Sequence, residues 1–133
     1  MRAVSLLFLP LCVLLLSGFD DVRQLSVPTA GTPDDRIAAL WQQTRPLLIA
    51  DAGQPLTDAE SLARGAPLVE AWTELQASLA ATDASGEVHA VLKLLNDMYG
   101  RPEAKPERRV ATRNETRRDF GQRLATVESR LNR

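Results

Sequence analysis

The stretch SGEVHAVLKLLNDMYG, residues 85–100, decides the fold. Val88, Val91, Leu92, Leu95, Met98 and Tyr99 recur at steps of three, one, three, three and one, which gathers all six on one side of a helix with about 3.6 residues per turn. A strand would send Val88 and Val91 to opposite faces. Ser85 opens the helix after the turn-forming residues 82–86. Gly100 followed by Pro102 closes it, because glycine accepts the backbone conformation just past a helix end and proline cannot extend the helix.

On the N-terminal side of this helix, Leu68, Trp72, Leu75 and Leu79 step by four, three and four, a second helical stripe that begins near Ala66 and Pro67. Before it, Thr57-Asp58-Ala59-Glu60 forms a capping box, in which the threonine oxygen takes the Glu60 amide and the carboxylate reaches back; this predicts a short helix ending at Gly65. A further helix starts at Thr32. Pro33 suits the first helical position, and Asp34 and Asp35 place negative charge at the positive end of the dipole. Ile37, Leu40, Trp41 and Thr44 then share one face, and Pro46 is expected to stop or kink the helix. Trp41 and Trp72 both fall on apolar stripes, which marks them as core residues.

On the C-terminal side, residues 101–109 read as a charged connector. Thr112-Arg113-Asn114-Glu115 is a second capping box, predicting a last helix from Arg113 to near the end. Its apolar positions Phe120, Leu124, Val127 and Leu131 form a narrow stripe. Such a helix packs along a groove of its own domain or against a partner helix, and the sequence leaves both open. With Arg117 and Arg118 beside the stripe, these six residues are the candidate partner-binding surface. No segment alternates apolar and polar residues, and aromatic content is 5%, low for a sandwich. The expected fold is an all-α bundle of four to five helices, without an internal repeat of fixed period.

The first residues are of another kind. Met1-Arg2 is followed by a run from Ala3 to Gly18 with no charged residue, the layout of an export signal. As a helix this run would rise about 24 Å, short of the roughly 30 Å of hydrocarbon that a spanning helix must cross, and Pro10 interrupts it. An export signal therefore fits better than a permanent anchor. Leu16-Ser17-Gly18 resembles the end of a bacterial lipoprotein signal, in which a leucine and two small residues precede the cysteine that receives the lipid. Here Phe19 stands at that position and has no thiol to acylate. In size and leader the chain is similar to small bacterial envelope lipoproteins of the secretin-pilotin or accessory type. The resemblance implies export, a periplasmic or membrane-associated location and work by protein binding, and it carries over no site residue. The layout is then a signal peptide or membrane segment at 1–18, a linker at 19–33 and a helical domain at 34–133. The linker holds Pro28 and Gly31 and no helical period; its first 13 residues, extended, would reach roughly 45 Å.

Composition removes several chemistries. The only cysteine, Cys12, lies inside the leader, so residues 19–133 offer no disulfide, thiolate metal site or cysteine nucleophile. The only histidine, His89, cannot build a zinc site without other soft ligands, and Glu87 is not spaced to orient it as a general base. Glu70 and Glu74 share one helix face, as in a two-carboxylate hydrolase or a solvated surface. No phosphate loop, nucleophile elbow, zinc-protease helix or nucleotide fingerprint occurs. No catalytic, cofactor-binding or metal-binding residue is therefore expected. The net charge of −1 hides an asymmetry: six basic and twelve acidic residues precede Gly100, and ten basic and five acidic follow from there. A basic tail suits an acidic partner or anionic lipid, or is a solvated helix face; export argues against nucleic acid. The expected function is a non-catalytic exported accessory protein, pilotin- or chaperone-like. It would bind another envelope or secretion-apparatus protein and meet the membrane through its N-terminal segment. The alternatives are a regulatory protein retained in the cytoplasm or at the inner membrane, and a small carboxylate-dependent hydrolase.

Overall fold

A computed structural model describes residues 23–82 and 84–132. The leader and Phe19 lie outside the described residues. Within them the chain is all-α, with five helices and no strand: α1 (Pro33–Ala52), α2 (Asp58–Ser78), α3 (Ser85–Tyr99), α4 (Pro106–Arg118) and α5 (Phe120–Leu131). The central helix is α3, with α2, α4 and α5 packed against it, while α1 closes over α2 and α5.

The stripe of α3 is buried as its spacing requires: Val88, Val91 and Leu95 are inaccessible to solvent. Gly100 ends the helix at φ 95°, a left-handed-side conformation that a Cβ would strain. Thr32 and Thr57 both form complete capping boxes, the first closed by Asp35 and the second by Glu60.

Three expected boundaries do not hold, and tertiary packing explains each. Pro46 does not stop α1, which continues to Ala52. The proline faces solvent, where water serves the carbonyl it leaves without a donor, and continuing the helix brings Leu48 and Asp51 into the interior. The expected break at Gly65 and Pro67 is also absent, and α2 is one helix. Ser61, Gly65, Leu68, Trp72 and Leu75 form a single buried line at steps of four, three, four and three. Gly65 belongs to it because the Tyr99 ring lies directly above: a Cβ there would come within 2.4 Å of Tyr99 Cβ. The last helix starts earlier than its capping box suggests and is interrupted. α4 begins at Pro106, Thr112 lies inside it, and its carbonyl accepts the Thr116 hydroxyl at 2.8 Å. The chain then turns at Asp119 and restarts as α5.

The Gly65 contact yields an expected result. Alanine is the better helix former by about 1 kcal/mol, but the Cβ would force α2 away from α3. Gly65→Ala is therefore expected to destabilise by about 1–3 kcal/mol net, the cost of overpacking a filled core. Chemical denaturation measures it, and a midpoint equal to or above wild type would refute the close approach.

Residues 23–31, within the stretch expected to be a linker, carry no helix and are laid along the bundle. Arg23, Leu25 and Val27 point inward, Gln24 and Ser26 outward, the period of an extended chain with one face buried. Leu25 and Val27 pack on the core, Ser26 exchanges two hydrogen bonds with the Gln43 amide, and Arg36 Nε donates to the Pro28 carbonyl at 3.0 Å. Residues 23–28 thus pack as a strap against the helices.

Candidate functional site

The six residues expected to meet a partner are distributed between the interior and the surface. Leu124 and Val127 are buried, and Phe120 and Leu131 pack beside them on the same core, where α5 closes against α3 and α1. Arg117 Nη2 donates to the carbonyls of Asp51 and Ala52 at 3.3 and 3.0 Å and also to that of Gln54. It thereby caps the end of α1, where backbone oxygens have no partner in their own helix and the dipole favours a cation. Of the six, Arg118 stands exposed. The apolar stripe thus follows the first of its two open readings, packing in a groove of its own domain.

The charge asymmetry has a matching explanation inside the molecule. Asp58, the first residue of α2, receives Arg109 Nη2 at 2.6 Å and Arg113 Nη1 at 3.0 Å. Arg123 approaches Asp97 at 3.5 Å, and Glu128 takes Arg45 at 2.5 Å and the Trp41 indole at 3.1 Å. Arg109, Arg113 and Arg123 of the basic tail therefore hold α4 and α5 to the acidic body, while Glu128 ties α5 to α1 with the opposite polarity. The buried side of α4 consists of Arg113 and Thr116, with no apolar residue, so the helix is fixed by polar contacts and carries no hydrophobic signal. The hydrogen bonds from Arg109 and then Arg113 hold the Asp58 carboxyl down at about 2.

A carboxylate depressed by folding stabilises the native state above its unfolded pKa, about 4, and loses that contribution as pH falls towards the folded value. Asp58→Asn is accordingly expected to melt below wild type at pH 5, with the gap closing as pH drops to about 2. Thermal melts across that range test it, and a gap independent of pH would refute the ion-pair account.

A second polar centre joins residues that no periodicity in the sequence connects. Asp51, at the end of α1, has a fully buried side chain. Arg23 grips it with both terminal nitrogens at 2.6 and 2.7 Å, Arg64 Nη1 donates at 2.9 Å, and the Tyr99 hydroxyl donates to the same carboxylate. Burial alone would raise the carboxyl pKa, but the bonds from Arg23, Tyr99 and Arg64 outweigh it and hold it below the ordinary range. Burial, and then the hydrogen bond to Asp51, push the Tyr99 hydroxyl well above its ordinary value. One node thus joins the strap, α1, α2 and α3. One local signal pointed to it: a carboxylate in the last turn of a helix opposes the dipole and needs a cation to hold it there. Buried and enclosed by four hydrogen bonds, Asp51 acts as a structural anchor.

Among the shallow grooves open on the described residues, two involve the residues singled out above. The first, about 410 Å³, runs between α3 and α5 over Leu94 and Val127. His89 lies on its rim, exposed, and Lys93 pairs with Asp97 at 2.9 Å. The second, about 440 Å³, separates the strap from α2 and has Glu70 and Glu74 on its wall. Among the described residues no group of three or more histidine, cysteine or acidic side chains is placed to hold a metal ion. No protein family, curated protein or solved structure matches this chain.

Proposed function

We propose that this chain is a non-catalytic exported accessory protein, pilotin- or chaperone-like, that assists a bacterial envelope or secretion assembly by binding another protein. The observation that carries this reading is the uncharged run from Ala3 to Gly18 behind Arg2, placed ahead of the helical body described from Arg23 onward. An export signal needs that order, an apolar leader followed by a body that folds without it. The folded body supports the reading in two ways. Among its buried titratable groups, Asp51, Tyr99 and Arg23 are bound to one another and Arg113 to Asp58, and all brace the helices. Its grooves are open and lined by mixed charge, a form that suits a polypeptide better than a small ligand, which usually buries most of its surface in a pocket. No helix among the described residues is long and apolar enough to cross a membrane, so membrane contact is assigned to the N-terminal segment.

The test is export. Alkaline phosphatase, which gains its disulfides only outside the bacterial cytoplasm, is joined after Gly31 in a bacterial host. The fusion is expected to be active, and Leu14→Arg in the leader to abolish that activity. An inactive fusion with the native leader would remove the envelope assignment.

A further inference from the structure

The strap leaves one edge of an extended chain without a partner, and a groove faces that edge. Ser26 gives its N–H to Gln43 Oε1 at 2.8 Å, and its carbonyl accepts Gln43 Nε2 at 2.9 Å, so both backbone groups of Ser26 leave towards α1. In an extended chain the neighbouring residues send theirs to the opposite edge. The N–H and C=O of Leu25 and Val27 therefore look towards α2, across the groove whose α2 wall is Pro67, Glu70, Ala71 and Glu74 and whose strap wall includes Arg23, its guanidinium held by Asp51. Among the described residues no hydrogen bond reaches these four backbone groups. Glu70 and Glu74 are exposed on the facing wall, and no ion pair engages either of them among the described residues.

We infer that this groove captures an extended, basic segment of a protein partner by strand addition. The partner's backbone would pair with Leu25 and Val27, and its lysine or arginine side chains would meet Glu70 and Glu74. A free strand edge supplies directional main-chain hydrogen bonds to any extended peptide, and the paired carboxylates select for positive charge and speed encounter. The two glutamates one helical turn apart repel each other when unoccupied, and a bound cation relieves that repulsion. The edge is held ready: Arg23 is fixed by Asp51, the side chains of Leu25 and Val27 are packed, and Gln43 fixes Ser26 from the other side. Little ordering of the strap remains to be done on binding. This inference rests on the protein-binding part of the proposed function and supplies the chemistry of the partner.

The experiment uses the full chain and a capped heptapeptide alternating lysine and valine. Titration followed by NMR is expected to move the backbone amides of Leu25 and Val27. Affinity should drop about tenfold in Glu70→Gln/Glu74→Gln at low salt, in line with the loss of two exposed charge contacts. The same peptide methylated on its backbone nitrogens should fail to bind, because it keeps its charge and loses its donors. Equal binding of the methylated peptide, or no binding at millimolar concentration, overturns the strand-addition site. Either result leaves the export test untouched, and a leader that fails to export leaves peptide capture by the purified chain untouched, so the two readings fail separately.

Discussion

Asp51→Ala is expected to destabilise the fold by about 3–5 kcal/mol, the cost of removing one partner from a buried ion pair. The alternative view, that truncating a small polar side chain matters little, fails on what the carboxylate leaves behind. Arg23 has 6% of its side chain exposed, so its guanidinium would stay in the interior with its principal acceptor gone. The Tyr99 hydroxyl would lose its acceptor in the same step. Arg64, 23% exposed, can turn to water and contributes less to the loss. A domain of this size holds only about 5–15 kcal/mol in total, so the variant should unfold at a much lower denaturant concentration. It should also release the strap before the helices, and limited proteolysis should cut within residues 23–31 first. Apolar replacement of the node's three buried members is expected to behave differently. Arg23→Met/Asp51→Leu/Tyr99→Phe removes the three buried members together and leaves the part-exposed Arg64 to turn to water, and well-packed apolar substitutes for a buried ion pair often come close to wild type. A triple variant as unstable as Asp51→Ala would mean that the node's worth lies in its shape and not in its charge balance.

The contrast between α3 and α4 marks what could be read from residues alone. Helix α3 declares itself because its buried side chains are apolar and its ends are punctuated by Ser85 and Gly100. Helix α4 offers no such stripe; Arg113 and Thr116 face inward, and only the position of Asp58, 55 residues away in sequence from Arg113, explains why. Gly65 and Pro67 read as a break because local punctuation is all that a sequence displays. The Tyr99 ring that makes a glycine necessary there belongs to another helix. Asp51 and Arg23 illustrate the same limit, since a pair 28 positions apart has no periodicity to announce it. The outlines of the candidate grooves were hidden for a related reason. Glu70 and Glu74 were visible as a pair on one face, but what they face is the strap, and the strap reads as linker until its alternating burial is seen. Apolar order was thus legible at short range, while polar order depended on contacts between distant segments.

The same distinction governs Trp72→Ala, for which about 3–5 kcal/mol of destabilisation is expected, the usual cost of truncating a buried aromatic. Trp72 is wholly inaccessible at the centre of the bundle, and two contributions compete to explain its worth. Its indole donates to Thr44 Oγ1 at 2.8 Å, and that hydroxyl donates onward to the Leu40 carbonyl at 2.8 Å. A neutral hydrogen bond of this sort contributes only about 0.5–1.5 kcal/mol net, and Thr44 keeps its own acceptor when the indole is removed. The ring itself fills the space between α2 and α1 and meets Trp41 edge-to-face at 6.4 Å and 71°, so lost packing should dominate. Trp72→Phe, which keeps most of the volume and drops the donor, should therefore cost less than half as much as the alanine variant. The damage should also be uneven. α3 retains its contacts with α4 and α5, whereas between Leu40 and Leu48 α1 rests mainly on α2 and α5 and loses the ring that joins it to α2; its ties to Tyr99 and Arg117 lie at its far end, at Asp51 and Ala52. Hydrogen exchange in Trp72→Ala should accelerate first in α1 between Leu40 and Leu48, with α3 still protected. Uniform acceleration across both helices would show instead that the five helices open as one unit, with α1 no more detachable than the rest.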